Sequence, residues 1–385
     1  MLAGYTIFML TLVSPPRFLL FSMVPHSKDR QLVESEQAET AALIETYGGE
    51  LVEATTQNES HFNQATYIGK GKIQDLALVV RDKQIDVLVV NATLTPSQLF
   101  ALQSQLQAAT THAFELWDRT DLILNIFKRH ARTAEANLQI RLAETRHKGP
   151  GLQGIGQQMS QQGGGIGAKG FGETQSEIMR RHWKKEIREI EEELDKLTTN
   201  RLRQMEHRKN LRLPTISIVG YTNAGKSTLF NLLTKKENLV QDAPFATLDS
   251  SVGKLYLHTL RKESFLTDTI GFIQNLAPAL VQAFRSTLAE TVNADLLLHV
   301  IDVTDEFLPE KIATVEEVLT SLGVQEKPQM YVFNKMDSLT ESEREEAVHE
   351  LRLEYPDKAP QFVSAVSAEG IPELIAAIEE RVKLT

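Results

Sequence analysis

Short apolar runs alternate with helical patterns over residues 17–118. Phe18–Val24 is typical of a strand, and Ile85–Val90 is a continuous apolar run, as expected of a parallel strand that is buried on both faces. Helical spacing covers about 32–47, and another helix is expected to start near Pro96. The remaining expected elements are a strand from Leu51, a helix after Gly69–Lys72 and a strand at Ala113–Leu116. This alternation predicts a small N-terminal α/β domain.

Residues 119–213 contain two stretches in which apolar residues recur every three or four positions. The first comprises Leu124, Phe127, Ala131, Ala134 and Leu138, and the second Trp183, Ile187, Ile190, Leu194 and Leu197. Two such heptad seams predict two long helices that pack as an antiparallel coiled-coil hairpin. The connecting segment 149–172 has 10 glycines in 24 residues. Because long loops without regular structure are often functional, this segment is predicted to be a functional tip.

Residues 214–385 open with a strand pattern at Pro214–Val219 and continue with a helix pattern at Thr228–Leu233. Between them, Gly220–Ser227 fits the phosphate-binding loop G-x-x-x-x-G-K-[ST] at every required position. Backbone N–H groups of such a loop, together with the N-terminus of the following helix, bind phosphate. The predicted nucleotide-binding residues are Gly220, Tyr221, Thr222, Asn223, Ala224, Gly225, Lys226, Ser227 and Thr228.

Magnesium and the γ-phosphate are expected to be bound by residues of this loop and of a second motif. Lys226 is predicted to reach the β- and γ-phosphates, and the Ser227 hydroxyl to ligate Mg²⁺. An apolar run is followed by Asp268-Thr269-Ile270-Gly271. Asp268 is predicted to lie on the Mg²⁺ side, acting through a water molecule. The backbone N–H of Gly271 is predicted to sense the γ-phosphate.

A later strand pattern ends in Asn334-Lys335-Met336-Asp337, which predicts specificity for guanine. A carboxylate at Asp337 can accept hydrogen bonds from guanine N1 and from its exocyclic amine, whereas adenine offers no such pair of donors. Asn334 is predicted to contact the base, and the stem of Lys335 to cover its face.

Ser364-Ala365, at the end of a further strand pattern, completes the set of motifs. Each short motif alone is weak, but four in this order predict a GTPase domain over 214–385. We expect a doubly wound α/β sheet with the nucleotide at the carboxyl ends of the strands, and a fold class of α/β for the whole chain.

Composition and charge narrow the function further. The chain of 385 residues has no cysteine, which excludes disulfides and a cysteine nucleophile. Its net charge is −10, yet residues 119–213 contain 19 lysines and arginines against 12 acidic residues. A basic segment in an acidic chain indicates contact with a polyanion such as RNA, and a solvated helical face is the alternative.

The N-terminal segment 1–16 is apolar and uncharged up to its Pro15-Pro16 pair. It is too short for a membrane span and lacks the basic start of a signal peptide, so a short extension is expected, with a targeting leader as the alternative. We expect a cytoplasmic monomer, with transient membrane association as a further option.

The chain resembles the HflX family of ribosome-associated GTPases, within the Obg–HflX group, over nearly all its length past residue 17. The residues that carry the resemblance are Tyr67–Lys72, Asp118–Phe127 with Ala131–Thr133, Gly164–Gly167 leading to Gly172–Gln175, Gly220–Ser227, Phe245–Asp249 and Asp268–Phe272. The chain departs from the family pattern at Phe171, Ser176 and Ile178-Met179.

The resemblance implies GTP hydrolysis to GDP and phosphate on the large (50S-type) ribosomal subunit. It implies that the hairpin tip reaches rRNA near the peptidyl-transferase centre, and that the protein splits stalled or idle ribosomes under stress. Phe245, Ala246, Thr247, Leu248 and Asp249 would form the switch, in which Thr247 closes on Mg²⁺ and the γ-phosphate. Together with Lys226 and Gly271, Thr247 would form the catalytic set.

Two further expectations follow from the resemblance. Asn223 matches the asparagine of potassium-stimulated GTPases, which implies a K⁺ site, and a tolerated loop residue is the alternative. Phe272 occupies the position at which many GTPases have a glutamine that orients the attacking water. Because phenylalanine cannot polarise water, intrinsic hydrolysis is expected to be slow and ribosome-stimulated.

Two other functions share most of these motifs. One is a GTPase that assembles the large subunit without splitting ribosomes. The other is a GTPase that serves a tRNA-modification complex, which would dimerise through its N-terminal domain.

Overall fold

The computed structural model describes residues 14–26, 30–59, 62–131, 133–149, 175–210, 213–235, 251–269, 271–273, 280, 284 and 288–383. Within the helix Gln175–Asn210, side chains are described at 177, 178 and 180–197. The chain forms two sheets with helices packed on them.

The first sheet has four parallel strands in the order β2-β1-β3-β4. The strands are β1 (Arg17–Val24), β2 (Glu50–Asn58), β3 (Val87–Val90) and β4 (Glu115–Asp118). The helices between them are α1 (Arg30–Tyr47), α2 (Lys70–Asp82) and α3 (Pro96–Ala109). All residues of β3 are buried, as the continuous apolar run predicted. The prediction of an α/β layer at this end of the chain is confirmed.

The helical region contains a break that the sequence pattern did not reveal. The first arm is divided into α4 (Arg119–His130) and α5 (Ala134–Lys148), and the second arm is α6 (Gln175–Asn210). Ala131 ends α4 in an extended conformation, and the Thr133 side chain caps α5 by accepting a hydrogen bond from the Ala136 N–H. The prediction of one long first helix is therefore wrong.

The heptad seam is also divided. Leu138 and Leu142 of α5 pack against Ile187, Ile190 and Leu194 of α6, which agrees with the predicted hairpin. Leu124 and Phe127 instead belong to a core that α4 shares with both sheets. Periodic spacing shows that a helix has an apolar face, but it does not identify the partner of that face.

The second sheet has six strands in the order β10-β9-β8-β5-β7-β6, and β6 is antiparallel to β7. The strands are β5 (Thr215–Gly220), β6 (Ser251–Leu257), β7 (Lys262–Asp268), β8 (Leu296–Asp302), β9 (Gln329–Asn334) and β10 (Gln361–Phe362). The helices are α7 (Lys226–Thr234), α8 (Ala289–Asn293), α9 (Leu308–Ser321), α10 (Glu341–Glu354) and α11 (Ile371–Lys383). Short 3₁₀ helices cover Met336–Ser338 and Pro356–Lys358.

One hydrophobic core joins the two sheets through α4. Phe127 meets Phe284 edge to face, with 4.9 Å between ring centroids. The same core contains Val219 and Phe272, which flank the predicted nucleotide loop and the Asp268 motif. The predicted nucleotide site therefore adjoins the contact between the first sheet, α4 and the second sheet.

Candidate nucleotide site

The phosphate-binding loop lies at the carboxyl end of β5 and leads into α7, in the predicted strand–loop–helix order. Gly225 has φ +87°, and a Cβ there would lie 2.2 Å from the Asn334 amide nitrogen. Only glycine combines this conformation with that contact. The N-terminus of α7 therefore meets the carboxyl end of β9, and the phosphate and base motifs are brought together.

Lys226 is buried within the phosphate-binding loop. Its Nζ donates a hydrogen bond of 2.5 Å to the Tyr221 carbonyl. Burial lowers the pKa of Lys226 to about 8, and the nearby Asp268 carboxylate partly opposes that shift. A desolvated cation held by a backbone carbonyl is available to a phosphate group, which would satisfy it better than the carbonyl does.

Ser227 and Asp268 lie side by side, as a shared Mg²⁺ site requires. The Ser227 hydroxyl donates a hydrogen bond of 2.7 Å to Asp268 Oδ2, and Asp268 ends β7 beside Ile218 of β5. A hydroxyl and a carboxylate are hard oxygen donors, the kind that Mg²⁺ prefers. The two residues therefore fit the metal, which would neutralise charge on the phosphates when bound.

The segment after Asp268 is fastened to the phosphate loop through its backbone. The Thr222 N–H donates to the Phe272 carbonyl at 2.7 Å, and the Phe272 N–H donates to the Gly220 carbonyl at 3.1 Å. A Cβ on Gly271 would lie 2.9 Å from Lys226 Nζ and from the Thr222 methyl group. Gly271 thus lies against the lysine with which it is predicted to share the γ-phosphate.

Phe272 faces the protein core and is 1% exposed. Phe272→Ala should lower the free energy of unfolding by about 3–5 kcal/mol, because a buried ring is replaced by a cavity. The intrinsic turnover of the folded fraction should stay nearly unchanged, because the ring cannot orient water. Urea denaturation and single-turnover GTP hydrolysis would measure the two effects.

Phe272→Leu provides the matched control, since it keeps most of the apolar volume and should cost far less stability. Loss of basal hydrolysis in a fully folded Phe272→Leu protein would show that the ring takes part in the reaction.

Asn334 connects the phosphate loop to the Ser364-Ala365 loop. Its amide nitrogen donates to the Ala224 carbonyl at 2.9 Å, and its amide oxygen accepts from the Ala365 N–H at 2.9 Å. The side chain is 2% exposed. These contacts assign Asn334 a bracing role that the sequence did not reveal, and its contact with the base stays a prediction.

Lys335 and Asp337 of the base motif are more exposed than Asn334, whereas Met336 is buried. Asp337 is exposed in its 3₁₀ helix, where a base can reach its carboxylate. Lys335 adopts a left-handed conformation, and its Nζ lies 2.7 Å from Asp302 Oδ2. Asp302 was missed by the sequence interpretation, although its place at the end of an apolar strand was a usable signal. Ser364 Oγ accepts a hydrogen bond from the Ser367 N–H at 3.0 Å, which shapes the last loop.

Several predicted residues lie outside the described residues. They are Phe245, Ala246, Thr247, Leu248, Asp249 and Ile270, together with residues 150–172 of the tip.

Several basic residues of the helical arms form ion pairs. Arg141, Arg146 and Lys185 form ion pairs with acidic residues of α6, and Lys148 pairs with Asp121. These four residues agree with the solvated-face alternative. Arg180 and Arg181 are exposed at the tip end of α6, and this position makes them candidates for contact with a polyanion.

Comparison with protein-family models divides the chain into three matched parts. Residues 34–128 match a family described as GTP-binding GTPase N-terminal, and residues 130–208 match its Middle Region. Residues 215–335 match the family described as 50S ribosome-binding GTPase. The domain boundaries at 118/119 and 213/214 stay predictions.

Curated relatives and a solved structure extend these matches to nearly the whole chain. The chain is 42% identical to the GTPase HflX of Caldanaerobacter subterraneus subsp. tengcongensis over 363 residues, which cover 94% of this chain and 80% of the relative. It is 35% identical to the GTPase HflX of Escherichia coli strain K12 over 355 residues, covering 92% and 80%. A crystal structure of SsGBP with GDP aligns with a TM-score of 0.51 and 25% identity, covering 96% and 99%.

Among the helices that the structure describes, none combines the length and the apolar character that a membrane crossing requires.

Proposed function

Because the chain belongs to the HflX family of GTPases, we propose that it hydrolyses GTP on the large ribosomal subunit and separates stalled or idle ribosomes under stress. The observation that carries this proposal is the match of residues 215–335 to a family described as 50S ribosome-binding GTPase. The intrinsic reaction is slow, since Phe272 supplies no water contact, and the ribosome completes the site.

Within this proposal, Lys226 and the Gly271 N–H bind the γ-phosphate and Thr247 closes on it. When Mg²⁺ is bound, Ser227 would be a direct ligand and Asp268 would hold the ion through water, and the ion would neutralise charge on the phosphates. The 2.7 Å contact between Ser227 and Asp268 supports the metal assignment.

Asn223 is exposed at the phosphate-binding loop, with φ 62°, and is proposed as a K⁺ ligand. Equal turnover in KCl and NaCl would rule out the K⁺ site.

The second arm of the hairpin, α6, is a long helix. At a rise of 1.5 Å per residue, the 36 residues of α6 form a rod of about 54 Å. Arg180 and Arg181 are exposed near the end of α6 that leads to the tip. Such a rod suits insertion into folded rRNA, which is bound through its shape and phosphates.

Replacing Arg180 and Arg181 with glutamate should weaken binding to large subunits by about 10-fold or more at physiological salt. It should also reduce the salt dependence of binding, because phosphate contacts that release counterions are lost. Sedimentation with purified large subunits at several KCl concentrations would measure both effects.

Arg261→Glu with Lys262→Glu is the matched control, since these residues form another adjacent and exposed basic pair, at the turn between β6 and β7. The control should bind nearly as well as the natural chain. Equal losses in both double variants would mean that overall charge, and not the hairpin, governs binding.

Sucrose-gradient sedimentation with a non-hydrolysable GTP analogue separates the competing functions. Conversion of 70S ribosomes into subunits would support splitting. Binding to precursor particles alone would support the assembly alternative, whereas co-migration with tRNA and no ribosomal particle would support the tRNA-modification alternative.

A further inference from the structure

Tyr221 extends from the phosphate-binding loop into the first α/β layer. It is the second residue of the loop, and its side chain is 7% exposed. Its hydroxyl donates a hydrogen bond to Glu39 of α1, a residue 182 positions away in the chain. The Lys311 ammonium lies 5.0 Å from the centroid of the tyrosine ring. The loop is therefore anchored to a distant helix by a side chain that takes no part in the loop pattern.

Glu39 is itself held in place by a buried cation. Its second carboxylate oxygen forms an ion pair with Arg119, which is 2% exposed and is the first residue of α4. Arg119 also donates to the Asn91 side-chain oxygen at 2.8 Å. We call Tyr221, Glu39 and Arg119 the polar clasp. The polar clasp links the phosphate loop, α1 and the start of α4, and it lies beside the hydrophobic core that these elements share.

The backbone of Tyr221 contacts residues that are predicted to bind the phosphates. The Tyr221 carbonyl accepts the hydrogen bond from Lys226 Nζ. The Tyr221 backbone also runs beside Phe272, which follows the predicted γ-phosphate sensor Gly271. A shift of the Tyr221 side chain is therefore expected to move the carbonyl that accepts from Lys226 and the backbone bridge to Phe272, the residue after Gly271.

We propose that Glu39 is a positioning residue for the GTP site, acting through Tyr221. The carboxylate holds the phosphate loop in the conformation that receives the nucleotide. Because coupling between two sites is reciprocal, nucleotide binding in turn tightens the contact between the phosphate loop, α1 and α4. This inference rests on the GTPase activity and not on the proposed ribosome function, so either can fail without the other.

Tyr221→Phe is the first test, because it removes only the hydroxyl and keeps both the ring and the Glu39–Arg119 ion pair. A hydrogen bond to a charged group is strong enough for its loss to raise the Kd for GDP and the KM for GTP by about 10-fold. Glu39→Gln should have an effect of similar size. Glu34→Gln is the matched control, because Glu34 is exposed on the same helix and pairs only with Arg30 in the described contacts.

Three measurements distinguish positioning from a structural role. Loss of folded protein would lower kcat per chain and leave Kd and KM unchanged, whereas positioning raises Kd and KM. The double variant should bind nucleotide no worse than the weaker-binding single variant, since both substitutions act on the same hydrogen bond between Tyr221 and Glu39. GDP should slow hydrogen exchange in α1 and α4 of the natural chain, and less so in Tyr221→Phe. Unchanged Kd and KM in folded Tyr221→Phe, or additive losses in the double variant, would overturn the proposal.

Discussion

A chain carrying Lys226→Ala should hydrolyse GTP at least about 10³-fold more slowly than the natural chain, the scale expected when a preorganised charge on a transferring phosphoryl group is lost. GTP and GDP binding should also weaken. The reason lies in the surroundings of Lys226, which is buried and is held 2.5 Å from a backbone carbonyl. Because burial has already removed water from its ammonium group, Lys226 is preorganised to bind the β- and γ-phosphates.

Lys235→Ala is the matched control, because Lys235 is an exposed lysine directly after the same helix. Its turnover should equal that of the natural chain. Circular dichroism and thermal unfolding would establish that both variants are folded. Substantial single-turnover hydrolysis by Lys226→Ala would mean that the phosphates bind elsewhere.

The elements that the sequence predicted well are those set by local pattern. The apolar run that became β3 and the glycine loop between β5 and α7 are defined by neighbouring residues, and both lie where they were expected. The break between α4 and α5 depends on a cap at Thr133, and a competing apolar pattern crosses it. Leu124 and Phe127 fit the heptad spacing but pack against another part of the chain.

In the nucleotide site, too, features that depend on neighbouring residues could be predicted, and contacts between distant residues could not. The phosphate and base motifs could be predicted because their chemistry is encoded in short, ordered stretches. The contacts that hold these stretches together connect residues far apart in sequence. Asn334 meets Ala224 across 110 positions, and Glu39 meets Tyr221 across 182. No local pattern indicates such a pair, because either partner alone resembles an ordinary polar residue of a loop or a helix.

Asp337→Asn should change which base the site accepts. The carboxylate accepts two hydrogen bonds from guanine, whereas an asparagine presents one acceptor and an amide donor that suits the extra carbonyl of xanthine. We expect the natural chain to prefer GTP over ATP by at least about 10³-fold, because a hydrogen-bonding site rejects a base that leaves its groups unpaired. The variant should bind XTP more tightly than GTP.

Because the Asp337 side chain is exposed, Asp337→Asn should change base recognition without changing the stability of the fold. Asp357→Asn is the matched control, because Asp357 is an exposed aspartate in the other described 3₁₀ helix of the same sheet region. Competition of fluorescent GDP with GTP, XTP and ATP would give the three affinities for each protein. If the natural chain bound ATP as tightly as GTP, the prediction of guanine specificity would be wrong. If instead Asp337→Asn kept its preference for GTP over XTP, then Asp337 would not read the base. Recognition of guanine would then have to come from the backbone of the Ser364-Ala365 loop, which Asn334 holds beside the site.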